Sequence, residues 1–217
     1  TGGLTRTLSD YRTLLRDRVF VGAVLNQGLM YAALFAYLSG ATFVLQDIYG
    51  LSPLGYALAF GANSAGFMVF GHLAGRFSER GHVHAVLAAG VAVATAGAIG
   101  LLAAGLVPMP LWVVLASLFA LAAGVSISSP PATTLALIGY PQIAGTASSL
   151  LGMVRFGFGG IAAPLVGVAG ALSILPLGVV TVTTTALAAV ALVLIGTAQG
   201  RAARHSPPTT SSTALTH

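Results

Sequence analysis

Six stretches of roughly twenty or more mostly apolar residues divide this chain, and a run of that length has few ways to fold. A helix advances about 1.5 Å per residue, so about 20 apolar residues cross the roughly 30 Å hydrocarbon core of a bilayer. The runs lie at Val19–Gln46, Leu54–Gly75, His84–Val107, Leu111–Ser129, Ile143–Gly167 and Ser173–Gly196. Inside lipid the backbone must satisfy its own hydrogen bonds, which predicts six helices. The expected fold class is all-α, an integral membrane six-helix bundle over residues 19–197. A connector at 1–18 precedes it, and a Ser/Thr/Pro-rich tail at 198–217, expected to be disordered, follows.

Composition supports the bilayer as solvent. Of 217 residues, 56% are hydrophobic and 6% charged, with a mean hydropathy of +0.94. A soluble domain carries about 25% charged residues. The net charge of +5 does not point to nucleic acid: every basic residue is Arg, and the arginines sit in short segments between apolar runs. Cys is absent, which excludes a disulfide framework and a thiolate metal site. The chain starts at Thr1 without a signal-peptide pattern, so a start inside a longer protein is expected.

The breaks between runs have physical causes. Gly50-Leu-Ser-Pro53 is a turn signal, and Arg76-Phe-Ser-Glu-Arg-Gly81 is the most charged internal loop. Pro108-Met-Pro110 separates runs three and four. Pro130-Pro131 is expected to end run four, because neither residue has an amide N–H to donate. Gly139-Tyr-Pro-Gln142 precedes run five, and Gly170 and Pro176 flank the last connection. Arg6, Arg12, Arg16 and Arg18 precede run one, Arg76 and Arg80 lie between runs two and three, and Arg201 and Arg204 follow run six. Six crossings put all three groups on one face. By the positive-inside rule that face, with both termini, is cytoplasmic. Leu4, Leu8, Tyr11 and Leu15 recur at helical spacing with arginines between them. This pattern reads either as an amphipathic helix on the membrane surface or as an ordinary charged connector.

Polar side chains inside a membrane need a partner or water, so their distribution indicates which helices face a cavity or one another. Run one holds Asn26, Gln27, Tyr31, Tyr37, Ser39, Thr42 and Gln46; run two holds Asn63 and Ser64. Run four ends in Ser126, Ser128 and Ser129, and run five holds Thr146, Ser148, Ser149 and Arg155. Run three has little beyond Thr95. Run six has Thr181, Thr183, Thr184 and Thr185, whose hydroxyls can bond back to their own helix. Runs one, two, four and five are therefore expected to line a cavity, and three and six to face lipid. For single Ser and Thr residues the competing reading is helix-to-helix bonding.

Arg155 stands about twelve residues into run five, too deep to snorkel easily. A guanidinium at mid-membrane costs at least roughly 2.5–3.5 kcal/mol and does not escape by deprotonation. Either it binds an anionic or polar substrate group or a proton-carrying acid, or it makes a structural bond to carbonyls or to a carboxylate elsewhere. Asp47, at the end of run one, and Glu79, in the charged loop, are not mid-membrane partners. Gly71 and Gly75 allow close helix approach. Gly157, Gly159, Gly160, Pro164 and Gly167 make run five thin and bendable.

The stretch Phe35-Ala-Tyr-Leu-Ser-Gly-Ala-Thr-Phe-Val-Leu-Gln-Asp-Ile-Tyr-Gly-Leu-Ser-Pro53 resembles the seventh span and following loop of Bcr/CflA-type drug-resistance transporters of the major facilitator superfamily. Leu15-Arg-Asp-Arg-Val-Phe20, Ala59-Phe-Gly-Ala-Asn63 and Ala144-Gly-Thr-Ala-Ser-Ser-Leu-Leu-Gly152 fit the same pattern. Gly71-His-Leu-Ala-Gly-Arg76, continuing to Arg80, is similar to the superfamily's cytoplasmic loop motif, with Gly75 where that motif has Asp. Gly159 through Ala163, Pro164 and Gly167 resembles a second-half echo of the antiporter Gly-Pro motif. Arg155 departs from the group, where a neutral residue is usual.

The resemblance implies half of a twelve-helix fold, spans seven to twelve, with the six-helix N-terminal half as partner. It implies a bacterial inner-membrane exporter of small amphipathic compounds, driven by a proton gradient through alternating access, with no cofactor. The candidate cavity residues are Arg155, Asn26, Gln27, Tyr31, Asn63 and Ser148; Gly71, Arg76 and Arg80 are candidates for gating, and Gly159, Gly160, Pro164 and Gly167 for packing and flexing. The partners implied are the lipid bilayer and a small-molecule substrate, with no nucleic acid. A metabolite exporter of the same fold and a non-transporting membrane subunit remain alternatives. An intramembrane enzyme is disfavoured: His72, His82 and His84 have only Glu79 nearby as a further ligand, and neither Gly-x-Ser-Gly nor His-Glu-x-x-His occurs.

Overall fold

The computed structural model describes residues 3–168 and 173–205. The described residues form helices α1 (Gly3–Arg16), α2 (Arg18–Thr42), α3 (Pro53–Glu79), α4 (Val83–Leu106), α5 (Leu111–Leu137), α6 (Ala144–Val168) and α7 (Leu175–His205). A π-helical turn, Phe43–Ile48, extends α2, and a single 3₁₀ turn, Pro141–Ile143, leads into α6. Six helices, α2 to α7, are long and apolar enough to cross a membrane, as the hydropathy pattern predicts.

Local chemistry starts these helices where they start. The Asp17 carboxylate accepts the Val19 amide at 2.8 Å and caps α2. The Ser52 hydroxyl accepts the Gly55 amide at 3.1 Å and caps α3, with Pro53 as its first residue. Gly50 and Gly81 turn the chain with φ of +67° and +89°, a region that disfavours side chains.

The bundle is built around α2, which packs on α5, α6 and α7; α4 lies against α5 and α7, and α3 leans on α5. One apolar core joins Met30 and Tyr37 of α2 and Val44 of the π-helical turn to Val91 and Leu101 of α4, Leu118 and Leu121 of α5, and Leu177 of α7. A second, towards the other end, joins Leu14, Phe20, Leu87, Leu135, Leu151 and Ile195. The α4–α5 seam is close because Gly90 and Gly97 face α5 backbone, and Gly124 faces α4 backbone.

The structure corrects the sequence reading at several boundaries. The Pro130-Pro131 pair does not end run four: α5 continues through both prolines to Leu137. Prolines persist in membrane helices where packing against neighbours holds the helix; the pair frees the carbonyls of Ser126 and Ile127, four residues back, and α5 is held there between α2, α3 and α4. Helix α3 runs four residues past Gly75 to Glu79, which takes up most of the charged loop. Helix α7 runs to His205, so its end occupies residues assigned to a disordered tail; residues 206–217 lie outside the described residues, as does Gly170. In α1, Leu14 is the buried residue and Leu15 is exposed, because α1 packs on α2 and α6 through the Leu14 face. The side chains of Leu4 and Leu8 lie outside the described residues.

Candidate functional site

Arg155 sits near the middle of α6 and reaches across to α5, where its Nη2 donates to Thr133 Oγ1 at 2.9 Å and lies 3.5 Å from Ser129 Oγ. Its Cζ lies 4.9 Å from the centre of the Tyr31 ring on α2, so an aromatic face covers one side of the cation. Gln27, one turn before Tyr31 on the same face of α2, donates from Nε2 to Ser129 Oγ at 2.8 Å. The Thr133 hydroxyl donates to the Ser129 carbonyl at 2.9 Å, with Gln27 Oε1 at 3.3 Å. Three helices thus contribute to one half-buried polar cluster: Gln27 and Tyr31 from α2, Ser129 and Thr133 from α5, Arg155 from α6. The Arg155 Nε is buried without an acceptor among the described residues.

A second polar contact lies between α2 and α3. Asn63 Nδ2 donates to the Tyr37 hydroxyl at 3.0 Å, and both side chains are buried. With Ser64 they form the polar part of a cleft of about 220 Å³, otherwise lined by Leu34, Leu38, Phe60, Phe67 and Ala122. Tyr37 stacks on Phe60 with centroids 6.4 Å apart, and Phe60 on Tyr56 at 6.0 Å. Tyr56 accepts the Thr42 hydroxyl at 2.9 Å and joins the two helices at the end of that aromatic row.

The remaining candidates separate into packing and surface. Asn26 is fully buried, and its Nδ2 donates to the Ala188 carbonyl of α7 at 2.9 Å, away from the cluster. Ser148 is exposed. Gly71 lies against Ser126 of α5, whose hydroxyl bonds the Phe67 carbonyl of α3. Gly75 faces open space. Arg76 and Arg80 are exposed, the latter 5.8 Å above the Phe77 ring. Gly159 receives the Phe35 ring of α2, whereas Gly160 and Gly167 meet nothing within 4 Å. Pro164 lies inside α6, where the Ser39 hydroxyl of α2 donates to the neighbouring Ala163 carbonyl at 3.1 Å.

Sequence reasoning missed Thr133, which lay beyond the expected end of run four. Its spacing of four from Ser129 is the signal that finds it once α5 is carried through the prolines. The threonine hydroxyls of α4 and α7 bond within their own helices, whereas Ser129 and Thr133 also meet side chains of α2 and α6. Thr95 donates to Val91 at 2.8 Å, Thr181 to Leu177 at 2.7 Å, Thr183 to Val179 at 2.7 Å, and Thr185 to Thr181 at 2.8 Å, each within its own helix. No group of three or more His, Cys, Asp and Glu able to hold a metal ion occurs among the described residues.

Outside the spans, Tyr140 ties the α5–α6 connection to the start of α2. Its hydroxyl donates to Asp17 Oδ2 at 2.7 Å, and its ring meets Phe20 edge-on at 5.8 Å. Burial, then the bond to Asp17 and that carboxylate's charge, push the phenol up to about 12.

Two comparisons bear on this arrangement. Residues 2–164 match the family model of the Major Facilitator Superfamily. A protein of Bacillus subtilis (strain 168), described as the uncharacterized MFS-type transporter YdgK, is 35% identical over 156 residues, which cover 72% of this chain. The chain spans 39% of that relative's length.

Proposed function

Because the chain belongs to the Major Facilitator Superfamily, a family of membrane transporters and not of enzymes, we propose that it forms spans seven to twelve of a secondary active transporter of the Bcr/CflA drug-resistance type. In this reading α2 to α7 are the C-terminal half of a twelve-span exporter of small amphipathic compounds. A proton gradient drives it, and both ends of the segment lie on the cytoplasmic side of a bacterial inner membrane.

The observation that carries the reading is the origin of the interhelical polar contacts. Gln27, Tyr37, Asn63, Ser129, Thr133 and Arg155 come from α2, α3, α5 and α6, and they meet around α2. The hydroxyls of α4 and α7 are spent within their own helices. A non-transporting subunit has no need to gather polar groups beside an aromatic cleft inside the membrane, where each costs free energy. An aromatic cleft with one amide–phenol pair suits amphipathic compounds, because apolar walls supply affinity and few polar groups supply orientation.

The test is efflux from inside-out vesicles by a full-length transporter containing this segment, with a fluorescent amphipathic substrate. Substrate uptake should follow an imposed pH gradient and stop when a protonophore collapses it. Uptake that persists without a gradient, or that never exceeds empty vesicles for any compound of a drug panel, rejects the proposal.

A further inference from the structure

Arg155 is a permanent cation in the middle of a membrane helix, yet its hydrogen-bond partners among the described residues are neutral hydroxyls. The chain has four acidic residues, and none lies in the middle of a spanning helix: Asp10 in α1, Asp17 before α2, Asp47 in the π-helical turn that follows α2, and Glu79 at the end of α3. None belongs to α5 or α6. The Asp17 carboxylate is already engaged by Tyr140 and the Val19 amide. Hydroxyls order a guanidinium without neutralising it, and the buried Nε has no acceptor among the described residues. The strongest partner for such a group is a carboxylate or similar oxyanion, which takes two parallel N–H donors from the planar fork.

The surroundings specify more than charge. Gln27, Tyr31, Leu34 and Leu38 are spaced four, three and four residues apart and therefore share one face of α2. Gln27 and Tyr31 belong to the Arg155 cluster, while Leu34 and Leu38 line the aromatic cleft. From Tyr31 to Leu38 the helix rises about 10 Å. The cation and the apolar cleft thus lie within the length of one small organic molecule. The cleft, at about 220 Å³, falls below the roughly 300–1,000 Å³ of complete small-molecule sites, which suits one wall of a site.

We infer that these two regions form one site for amphipathic organic anions. The carboxylate or other oxyanion pairs with Arg155, which Thr133 and Ser129 orient, and the apolar body lies along Leu34 and Leu38 against Phe60 and Phe67. The inference rests on the reading of the chain as half of a transporter and adds the charge class of the substrate. The same chemistry has a second source, a carboxylate of the protein outside the described residues, and the test separates the two.

The experiment measures equilibrium binding to purified full-length protein containing this segment, in nanodiscs at pH 7 and without a gradient. Ligands are one- and two-ring aromatic carboxylic acids, each paired with its neutral amide, 1-naphthoate and 1-naphthamide among them. The expected result is at least one acid binding about tenfold or more tighter than its amide. Arg155→Gln should remove that preference and leave the amide's affinity unchanged, which also reports an intact fold. Thr133→Val, which keeps the charge, should weaken acid binding severalfold. The inference is overturned if no acid of the panel binds tighter than its amide, or if the preference survives in Arg155→Gln. It also falls if Arg155→Gln does not fold and Thr133→Val binds acids like wild type. A protein carboxylate as Arg155's partner predicts the first of these outcomes, or the second where acids are preferred through some other group. Binding is read without transport, so acid selectivity without export keeps the site and rejects the proposed function, whereas export of neutral compounds with no acid preference does the reverse.

Discussion

Replacing Gly97 by Ala should force the α4–α5 seam apart. An Ala Cβ at this position falls 2.5 Å from the Leu121 amide nitrogen and 2.6 Å from the Ser117 carbonyl oxygen. Both are backbone atoms of α5, which cannot swing aside as a long side chain can. Ordinary contact begins at 3.4 Å, so the helices must separate locally by 3.4 − 2.5 = 0.9 Å. A gap of that size forfeits about a quarter to a half of each dispersion contact it opens. The contacts at stake are those of Ala94, Ala98, Leu101, Leu118 and Leu121, all fully buried. Overpacking of this kind costs about 1–3 kcal/mol. Gly152 of α6 is the control, because a Cβ there meets nothing within 4 Å; Gly152→Ala should be neutral or gain up to about 1 kcal/mol from the lost flexibility of glycine. The assay heats both variants and wild type in one detergent and follows the monodisperse fraction by size-exclusion chromatography. Gly97→Ala should melt below wild type, and Gly152→Ala at or above it. A Gly97→Ala protein that melts with wild type would refute the idea that backbone contact sets the spacing of these helices.

Neighbouring amides on α2 should respond differently to removal. Asn26→Leu should cost about 0.6 kcal/mol or less, the typical worth of one interhelical bond in a membrane, since it loses one bond to Ala188 and relieves an unpaired Oδ1. Gln27→Leu, which strips Ser129 and Thr133 of their α2 partner, should lower thermal stability more, and equal shifts would count against the cluster. Asn63→Leu should alter which compounds are exported while leaving expression intact; an unchanged range would remove the α2–α3 cleft from the substrate path. Tyr140 should ionise near pH 12. A phenol whose folded value is raised contributes stability below its ordinary value near 10, and loses it as pH climbs from about 10 to 12. Ultraviolet titration at about 295 nm should show a step near pH 12 that Tyr140→Phe removes.

The number of spans was legible in the sequence because hydrophobic length alone decides it, and the turn residues Gly50 and Gly81 have the backbone angles that favour glycine. Helix ends were less legible. Prolines read as breaks when the chain is taken alone, yet α5 runs through Pro130-Pro131 because helices distant in sequence, α2 and α4 among them, pack along it. Carrying α5 onward brings Thr133 into view, so one boundary error concealed one site residue. Asn26 and Gln27 show a different limit. They are adjacent and chemically alike, but successive residues on a helix point about 100° apart, so one faces α7 and the other α5. Composition marks the helix as polar without assigning the directions. Arg155 was legible as an exceptional residue from its depth alone, whereas its partners required the fold.

The two hydroxyls nearest the guanidinium stand on opposite sides of the proline pair in α5: Ser129 just before it and Thr133 two residues after. The pair removes two backbone hydrogen bonds from α5 between those hydroxyls. A side chain on α6, at 2.9 Å and 3.5 Å from the two, therefore fastens across the least internally bonded stretch of a helix that does not carry it.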